Sequence, residues 1–301
     1  MAVVSTGFFD GVHIGHRSII DTLVREARRR AEKSVVLTFW PHPRVVLRSD
    51  SRDLRLLTSR DEKLRMLRAL GVDEVEVLPF TSEFASLTTR QFLSDVVKGR
   101  FGASAIVLGY DNCIGSDLCS VDTTRGIACE LGLDVVSAPV IADNGVSVSS
   151  TKIRSAVENG QMRTARAMLG YDYGLEGVVV SGNRLGRTIG FPTANLKLYE
   201  PMKLVPGRGV YATRVRVEGC DYLGMTNVGV RPTVSGDGGD VRIETNIFDF
   251  DEDIYGLDLS LSFVEKIRDE RRFSSLEELA GQLRLDKACC ISEIGKYCLH
   301  L

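Results

Sequence analysis

The stretch Gly182-Asn183-Arg184-Leu185-Gly186-Arg187-Thr188-Ile189-Gly190-Phe191-Pro192-Thr193-Ala194-Asn195 decides how this chain is read. Gly182, Gly186 and Gly190 recur every fourth residue, and no Lys-Ser or Lys-Thr follows them, so the segment is not a Walker-type loop. It lies between a short apolar run, residues 177–180, and an extended stretch, residues 193–198. Glycines in that position let backbone N–H groups wrap phosphate, although glycines alone suit a bulged hairpin equally well. Thr193 and Asn195 fall on one face of the extended segment, as alternate residues must. A hydroxyl and an amide oxygen are hard ligands of the kind that Mg²⁺ takes together with water and phosphate.

Downstream of this stretch the pattern has period two. Residues 209–217, 222–228, 242–248 and 257–264 read as strands, the last alternating Leu257, Leu259, Leu261 and Phe263. Ser235-Gly236-Asp237-Gly238-Gly239-Asp240 reads as a turn or hairpin loop. Short strands without intervening helices imply a small antiparallel β-barrel. A terminal helix over residues 275–301 starts at Ser274 or Ser275 with Glu277 and Glu278 in capping range.

Upstream, apolar strands (residues 2–7, 34–39, 74–78, 105–109 and 134–137) alternate with helical spacing over residues 17–32, 60–70, 89–98 and 121–131. Such alternation implies a parallel sheet with helices on both faces. The fold class is therefore α/β plus β, with domains over residues 1–170 and 171–301. The 301-residue length exceeds an ordinary single core and agrees with two.

A second phosphate constellation stands at Thr6-Gly7-Phe8-Phe9-Asp10-Gly11-Val12-His13-Ile14-Gly15-His16, where the first strand gives way to the first helix. Free N–H groups and the positive end of the helix dipole favour anions there, and ligands of open α/β sheets bind beyond the strands' carboxyl ends. His13 and His16 are three apart, so both imidazoles can share one side of the opening turn and donate to phosphate. Gly11 permits a sharp turn and Gly15 a close approach of nucleotide to backbone. A zinc site needs three or four ligands, and only His42 and His300 complete the histidine count. Val148-Ser149-Ser150-Thr151-Lys152-Ile153-Arg154 opens a further helix, residues 152–159, with Gly160 at its end. Its hydroxyls suit a helix cap, and Arg154 adds a permanently charged fork suited to a triphosphate.

Net charge is −2 with both signs mixed, which excludes an extended nucleic-acid footprint. The one basic run, Arg25 to Lys33, suits a solvated helix end. No apolar run reaches the roughly 18 residues of a membrane span, and the first residues lack a signal-peptide pattern. Seven scattered cysteines without a Cys-x-x-Cys pair read as reduced thiols. These features place the protein in the cytoplasm, with no nucleic acid or membrane partner and a homo-oligomer left open.

Gly7 to His16, Thr38-Phe39-Trp40-Pro41-His42-Pro43, Gly109-Tyr110-Asp111 and Ser149 to Arg154 resemble the nucleotidyltransferase superfamily. More narrowly they resemble the FMN adenylyltransferase module of prokaryotic bifunctional FAD synthetases, a Rossmann-like domain. The resemblance implies that FMN phosphate attacks the α-phosphorus of ATP without a covalent intermediate and pyrophosphate leaves. His13 and His16 would steady the phosphates. Ser150, Thr151 and Arg154 would hold pyrophosphate, and Gly7, Phe8, Asp10, Gly15 and Asp111 would bind the nucleotide.

Phe191 to Asn195 resembles the Pro-Thr-Ala-Asn signature of riboflavin kinases. The likeness continues through Gly209-Val210-Tyr211, Thr226 to Thr233, Glu244 to Phe250 and Lys266 to Glu270. It implies that Glu244 takes the proton of the riboflavin 5′-hydroxyl as it attacks the γ-phosphorus of ATP. It further implies that Thr193 and Asn195 bind Mg²⁺, that Gly182, Gly186, Gly190 and Thr193 hold the nucleotide, and that Arg268 lies near the flavin. Asn246 stands where relatives commonly have histidine. The expected ligands are riboflavin, FMN, FAD and ATP with Mg²⁺.

The segment Asp111-Asn112-Cys113-Ile114-Gly115-Ser116-Asp117-Leu118-Cys119 lacks the aromatic residues and basic loop usual in the family. It therefore motivates an alternative, a riboflavin kinase whose first domain is a catalytically degenerate flavin- or nucleotide-binding module. His13-Ile14-Gly15-His16 is shared with class I aminoacyl-tRNA synthetases, but no Lys-Met-Ser-Lys-Ser-like segment or basic RNA-binding face accompanies it.

Overall fold

Ala2–Thr6 (β1) is buried at every position and forms the middle of a five-stranded parallel sheet. The computed structural model describes residues 1–47, 54–109, 114–139, 142–143, 146–182, 185–231 and 240–298. It divides into two compact units, Met1–Ser150 and Thr151–Leu301.

In the first unit, helix α1 (Ile14–Arg30) leads from β1 to β2 (Lys33–Trp40), and a short helix α2 (Pro43–Leu47) follows. Helix α3 (Arg60–Ala69) precedes β3 (Glu74–Pro79), and α4 (Ser82–Ala85) and α5 (Thr89–Gln91) come next. Helix α5 runs on as a π-helical stretch, Phe92–Arg100, where sequence spacing predicts an ordinary helix. Strand β4 (Ala103–Leu108), helix α6 (Val121–Glu130) and β5 (Asp134–Ser137) complete the sheet in the order β3-β2-β1-β4-β5. A two-stranded ribbon, β6 (Ala142–Asp143) with β7 (Val146–Ser147), closes the unit.

Alternate residues of β1 enter different cores, as strand geometry requires. Ala2 and Val4 pack with Leu37, Phe92 and Ile106, while Val3 packs with Ile20, Leu23, Val36 and Val107 beneath α1. The basic run at the end of α1 is partly paired, with Arg29 and Arg30 each 2.7 Å from Glu26 and Arg30 also 2.8 Å from Asp134.

Helix α7 (Ser150–Glu158) runs from the last residue of the first unit into the second, and α8 (Met162–Leu169) follows with Met162, Ala165, Met168 and Leu169 buried. Helix α8 lies against β8 (Tyr173–Val180) and β13 (Asp258–Arg268), which is why the compact units divide at residue 150 rather than near 170. After β8 come a short helix α9 (Leu185–Thr188) and the strands β9 (Ala194–Leu198), β10 (Gly209–Val217), β11 (Cys220–Arg231) and β12 (Asp240–Ile247). With β13 they close an antiparallel barrel in the order β10-β11-β12-β9-β8-β13. The expected hairpin loop at 235–240 lies outside the described residues up to Asp240.

Within the barrel, Thr213, Thr226 and Thr245 form a buried hydroxyl chain with successive 2.9 Å contacts. On its outer side Val210, Ala212, Met225 and Val264 pack against Cys290 and Ile294 of the terminal helix α10 (Leu276–Cys298). The Ser275 hydroxyl accepts from Glu278 N–H at 3.1 Å, and Glu278 accepts from Ser274 N–H at 2.9 Å, the capping expected there. Among the described residues no helix is long and apolar enough to cross a membrane.

Candidate active sites

The turn between β1 and α1 is tightly wound, with Phe9 at φ 55°, Gly11 at 79° and Val12 at 35°. Non-glycine residues in this region are strained, and several contacts hold them. The Asp10 carboxylate is buried and accepts from Leu57 N–H and Thr58 N–H, both at 3.0 Å. Gly11 N–H donates to Thr58 Oγ1 at 3.1 Å. Asp10 thus faces the loop before α3 rather than open solvent.

His13 caps α1 by accepting His16 N–H at its Nδ1, 3.3 Å away, which assigns the ring proton to Nε2. The His13 and His16 rings stack at 3.6 Å and 16°, and Phe9 meets His16 edge-on. Burial pushes His13 down to about 4 against the pull of Asp10, and burial together with His13 and Lys63 holds His16 well below its usual range. Both imidazoles are therefore neutral at physiological pH, and His16 Nδ1 is buried with no hydrogen-bond partner among the described residues. Ser150 hydroxyl donates to Asp10 carbonyl oxygen at 3.0 Å, within the first compact unit. Thr151 and Arg154 follow on α7, within the second compact unit.

Asp111 lies outside the described residues. Asn112 and Cys113 lie outside them too, and in residues 114–119 Asp117 accepts from Thr89 N–H at 2.9 Å and Ser116 N–H donates to Leu87 oxygen at 2.8 Å. Gly115, at φ 78°, lies so close to this helix start that a Cβ would meet Thr89 N at 2.3 Å.

In the barrel, register assembles the second site. Asn195 of β9 is directly paired with Glu244 of β12, Glu244 with Asn227 of β11, Asn227 with Val210 of β10, and Val210 with Arg268 of β13. Paired residues of adjacent strands share a face, so these side chains form one row on the outer side of the barrel.

Two cavities flank the Thr193 segment. One, of about 280 Å³, is bounded by Phe191, Thr193, Glu244, Arg268, Phe273 and Leu283. The other, of about 410 Å³, is bounded by Arg187, Thr193, Thr245, Asp251, Asp253 and Tyr255. Thr193 belongs to both walls. Arg268 is anchored rather than free: Nε lies 3.0 Å from Asp286 Oδ1 and Nη2 2.7 Å from Oδ2, a bidentate pair with a buried carboxylate. Arg242 Nη1 stands 3.4 Å from Glu244 Oε1.

The glycines of the opening stretch have separate reasons. A Cβ on Gly182 would lie 2.2 Å from Asn195 Nδ2, and one on Gly186 would lie 2.1 Å from Phe191 oxygen. Gly190 has open space but φ 82°. The N–H groups of Ile189 and Phe191 both donate to Gly186 oxygen, so these two amides serve the loop itself. Asn183 and Arg184 lie outside the described residues. Asn246, which stands where relatives commonly have histidine, is buried and donates to Pro192 oxygen at 2.6 Å, pinning the residue before Thr193.

Sequence reasoning quoted Asn227 within a matching run but gave it no role, and overlooked Lys63 and the apolar wall of Phe273, Leu279 and Leu283. Lys63 carried a legible signal, since it falls on the buried stripe of α3 with Leu64 and Leu67, where a charge is out of place.

A parallel α/β sheet with paired histidines at its first helix, joined to a closed barrel rimmed by a carboxylate, amides and a threonine hydroxyl, defines a two-domain nucleotide-dependent transferase. Residues 1–152 match the FAD synthetase family model and residues 169–292 the riboflavin kinase model. Two curated relatives are bifunctional riboflavin kinase/FMN adenylyltransferases. The one from Bacillus subtilis is 34% identical, over 95% of this chain and 90% of its own. The one from Escherichia coli K12 is 37% identical over the same shares. The chain belongs to the bifunctional riboflavin kinase/FMN adenylyltransferase family. A solved structure described as a macrolide-efflux protein from Streptococcus pneumoniae is similar at 36% identity and TM-score 0.89, covering 95% of this chain and 92% of that one. Nothing in these matches favours a degenerate first domain.

Proposed function

We propose that this chain phosphorylates riboflavin to FMN at the barrel and adenylylates FMN to FAD at the β1–α1 turn, using ATP in both reactions. The functional division proposed is residues 1–170 for adenylyl transfer and 171–301 for the kinase. The observation that carries the kinase assignment is the row in which Asn195, Glu244 and Asn227 stand side by side, with Thr193 in the wall between two cavities.

The smaller cavity, walled by Phe191, Val210, Met225, Phe273 and Leu283 with Arg268 at one side, suits a flat flavin ring. The larger cavity, bordered by Arg187 and by Asp251, Glu252 and Asp253, would take the nucleoside part of ATP, whose hydroxyls and amine can donate to carboxylates. The reacting phosphorus would then lie at Thr193, and Glu244 would accept the proton of the attacking hydroxyl. General-base catalysis of this kind is worth about 10²–10⁴-fold, whereas alignment and charge neutralisation carry more of phosphoryl transfer.

Mg²⁺ fits the donor chemistry of Thr193 and Asn195. Among the described residues no group of three or more His, Cys, Asp or Glu is placed to hold a metal, so the remaining ligands would be phosphate and water. Bound there, the ion would neutralise phosphate charge. Gly182, Gly186 and Gly190 shape the loop that brings these side chains to the nucleotide.

At the first site, the neutral His13 would donate from Nε2 to phosphate and His16 would stand beside it, with Gly7, Phe8 and Gly15 presenting backbone. Asp10 acts through the turn it braces. Ser150, Thr151 and Arg154 are proposed for pyrophosphate and Asp111 for the nucleotide. The working compartment proposed is the cytoplasm.

Purified protein incubated with riboflavin, excess ATP and Mg²⁺ should show FMN first and FAD later by chromatography. FMN accumulating without FAD would remove the adenylyl assignment, and no FMN with intact protein would remove both.

A further inference from the structure

We propose that Lys63 is a positioning residue for adenylyl transfer, a buried ammonium that fixes the Phe8 carbonyl and holds positive charge behind His13 and His16. The proposal rests on reading the β1–α1 turn as the adenylyl-transfer site.

Lys63 follows the Ser59–Glu62 capping box at the start of α3 and is 1% exposed. Lysine is almost never buried to this degree without a partner. Its Nζ donates to Phe8 oxygen at 2.9 Å and stands 3.7 Å from the centre of the Phe8 ring. Thr38 hydroxyl donates to the same oxygen at 3.2 Å, so that carbonyl is held from two elements. Immediately beyond it the backbone enters the left-handed conformations of Phe9, Gly11 and Val12, which cost on the order of 1 kcal/mol or more per non-glycine residue. An anchor at Phe8 therefore sets where the turn begins.

The charge has a second consequence. Asp10 is the carboxylate that faces Lys63 from the turn, His13 and His16 face the site from the start of α1, Arg60 lies on the ammonium's own helix, and His42 touches the Phe8 ring. With both imidazoles neutral, Lys63 offsets Asp10, and its field already reaches His16. A buried charge is poorly screened by salt, so this ammonium favours the negative charge that a triphosphate brings and that develops on its α-phosphoryl oxygens. Burial pushes Lys63 down to about 8. It is charged below that pH and loses its charge as pH rises through it.

The test compares wild type, Lys63→Arg and Lys63→Met between pH 6.5 and 9.5, measuring kcat/KM for FMN adenylylation. Riboflavin phosphorylation by the same preparations serves as the control. Wild-type adenylylation should fall about tenfold per unit above pH 8. Lys63→Arg should keep most activity and lose that limb, and Lys63→Met should lose about 10²-fold at pH 7, the order seen when one charge-stabilising donor is removed. Kinase activity should not change in either.

Wild-type adenylylation in Lys63→Met, or an unaltered limb in Lys63→Arg, would overturn the proposal. If the Met variant does not fold, the wild-type and Arg profiles decide alone. His13→Ala separates the underlying reading: continued FAD formation in that variant defeats the site assignment itself. Its loss beside a fully active Lys63→Met defeats only the role of Lys63.

Discussion

Replacing Gly182 by alanine isolates the contribution of one side chain's position to the kinase. The φ of Gly182 is not in the left-handed region, so alanine brings no backbone strain. Its Cβ, however, would lie 2.2 Å from Nδ2, 2.7 Å from Cγ and 2.9 Å from Oδ1 of Asn195. Ordinary contact requires about 3.5 Å, so the whole amide must retreat by more than about 1 Å. The side chain is short and its backbone is fixed by pairing with both Val180 and Glu244. It can yield only by rotating away from Gly182. Overpacking of this kind costs about 1–3 kcal/mol of stability. A misplacement of about 1 Å costs on the order of 10²-fold in rate. Riboflavin phosphorylation by Gly182→Ala should therefore fall about 10²-fold with a raised KM for ATP. FMN adenylylation by the same molecules should be unchanged and certify the preparation. Normal kinase constants in a variant whose Asn195 amide is shown to have moved would refute the assigned role.

Glu244→Gln should leave measurable kinase activity, about 10²–10⁴-fold down, while Thr193→Ala and Asn195→Asp impair use of Mg·ATP more deeply. Equal and undetectable activity for Glu244→Gln with intact ATP binding would reverse that order. His13 binds its proton at about 4 in the fold against an ordinary 6.5, so the unfolded chain takes up protons first as pH falls. Of the first unit's decline in stability between pH 6.5 and 4, His13 should contribute up to about 1.4 kcal/mol per unit, with His16 adding to it. Denaturation followed by the chain's one tryptophan, Trp40 in β2, would detect this, and a His13→Asn variant with the same acid sensitivity would contradict it. Arg268→Met would strand the buried Asp286 carboxylate and should cost about 3–5 kcal/mol, together with weaker riboflavin binding by fluorescence titration. Unchanged riboflavin affinity would detach Arg268 from the flavin cavity.

Periodicity made both layers of this molecule legible. Strands β1, β2 and β4 and the alternating Leu259, Leu261 and Phe263 of β13 bury the residues that their spacing selects, while the edge strands β3 and β5 stay partly exposed. Helix α8 escaped notice because its eight residues between two glycines look like a linker until they are seen packed on β8 and β13. The π-helical run at 92–100 escaped because a change in hydrogen-bond span leaves the apolar spacing almost untouched. In the candidate sites, what the sequence offers is short local runs: paired histidines three apart, and a hydroxyl and an amide two apart. Partners brought in by topology were not. Asp286 meets Arg268 across 18 residues, Lys63 meets Phe8 across 55, and Asn246 meets Pro192 across 54. Gly182 and Gly186 illustrate the same limit, since their spacing suggested phosphate while the atoms that exclude a side chain belong to Asn195 and Phe191.

The row Asn195, Glu244, Asn227, Val210, Arg268 also constrains how such an enzyme can change. Its members come from five strands of a closed barrel, and strand spacing, about 4.8 Å, is the ruler that separates them. Loops at the rim can lengthen or shorten without disturbing that ruler. A one-residue slip in β12 cannot be absorbed, because it would turn Glu244 inward among the threonine hydroxyls and bring Thr245 out into the row. Heritable variation is thereby steered into the loops at the rim, while the strands that hold the row must keep step together or fail together.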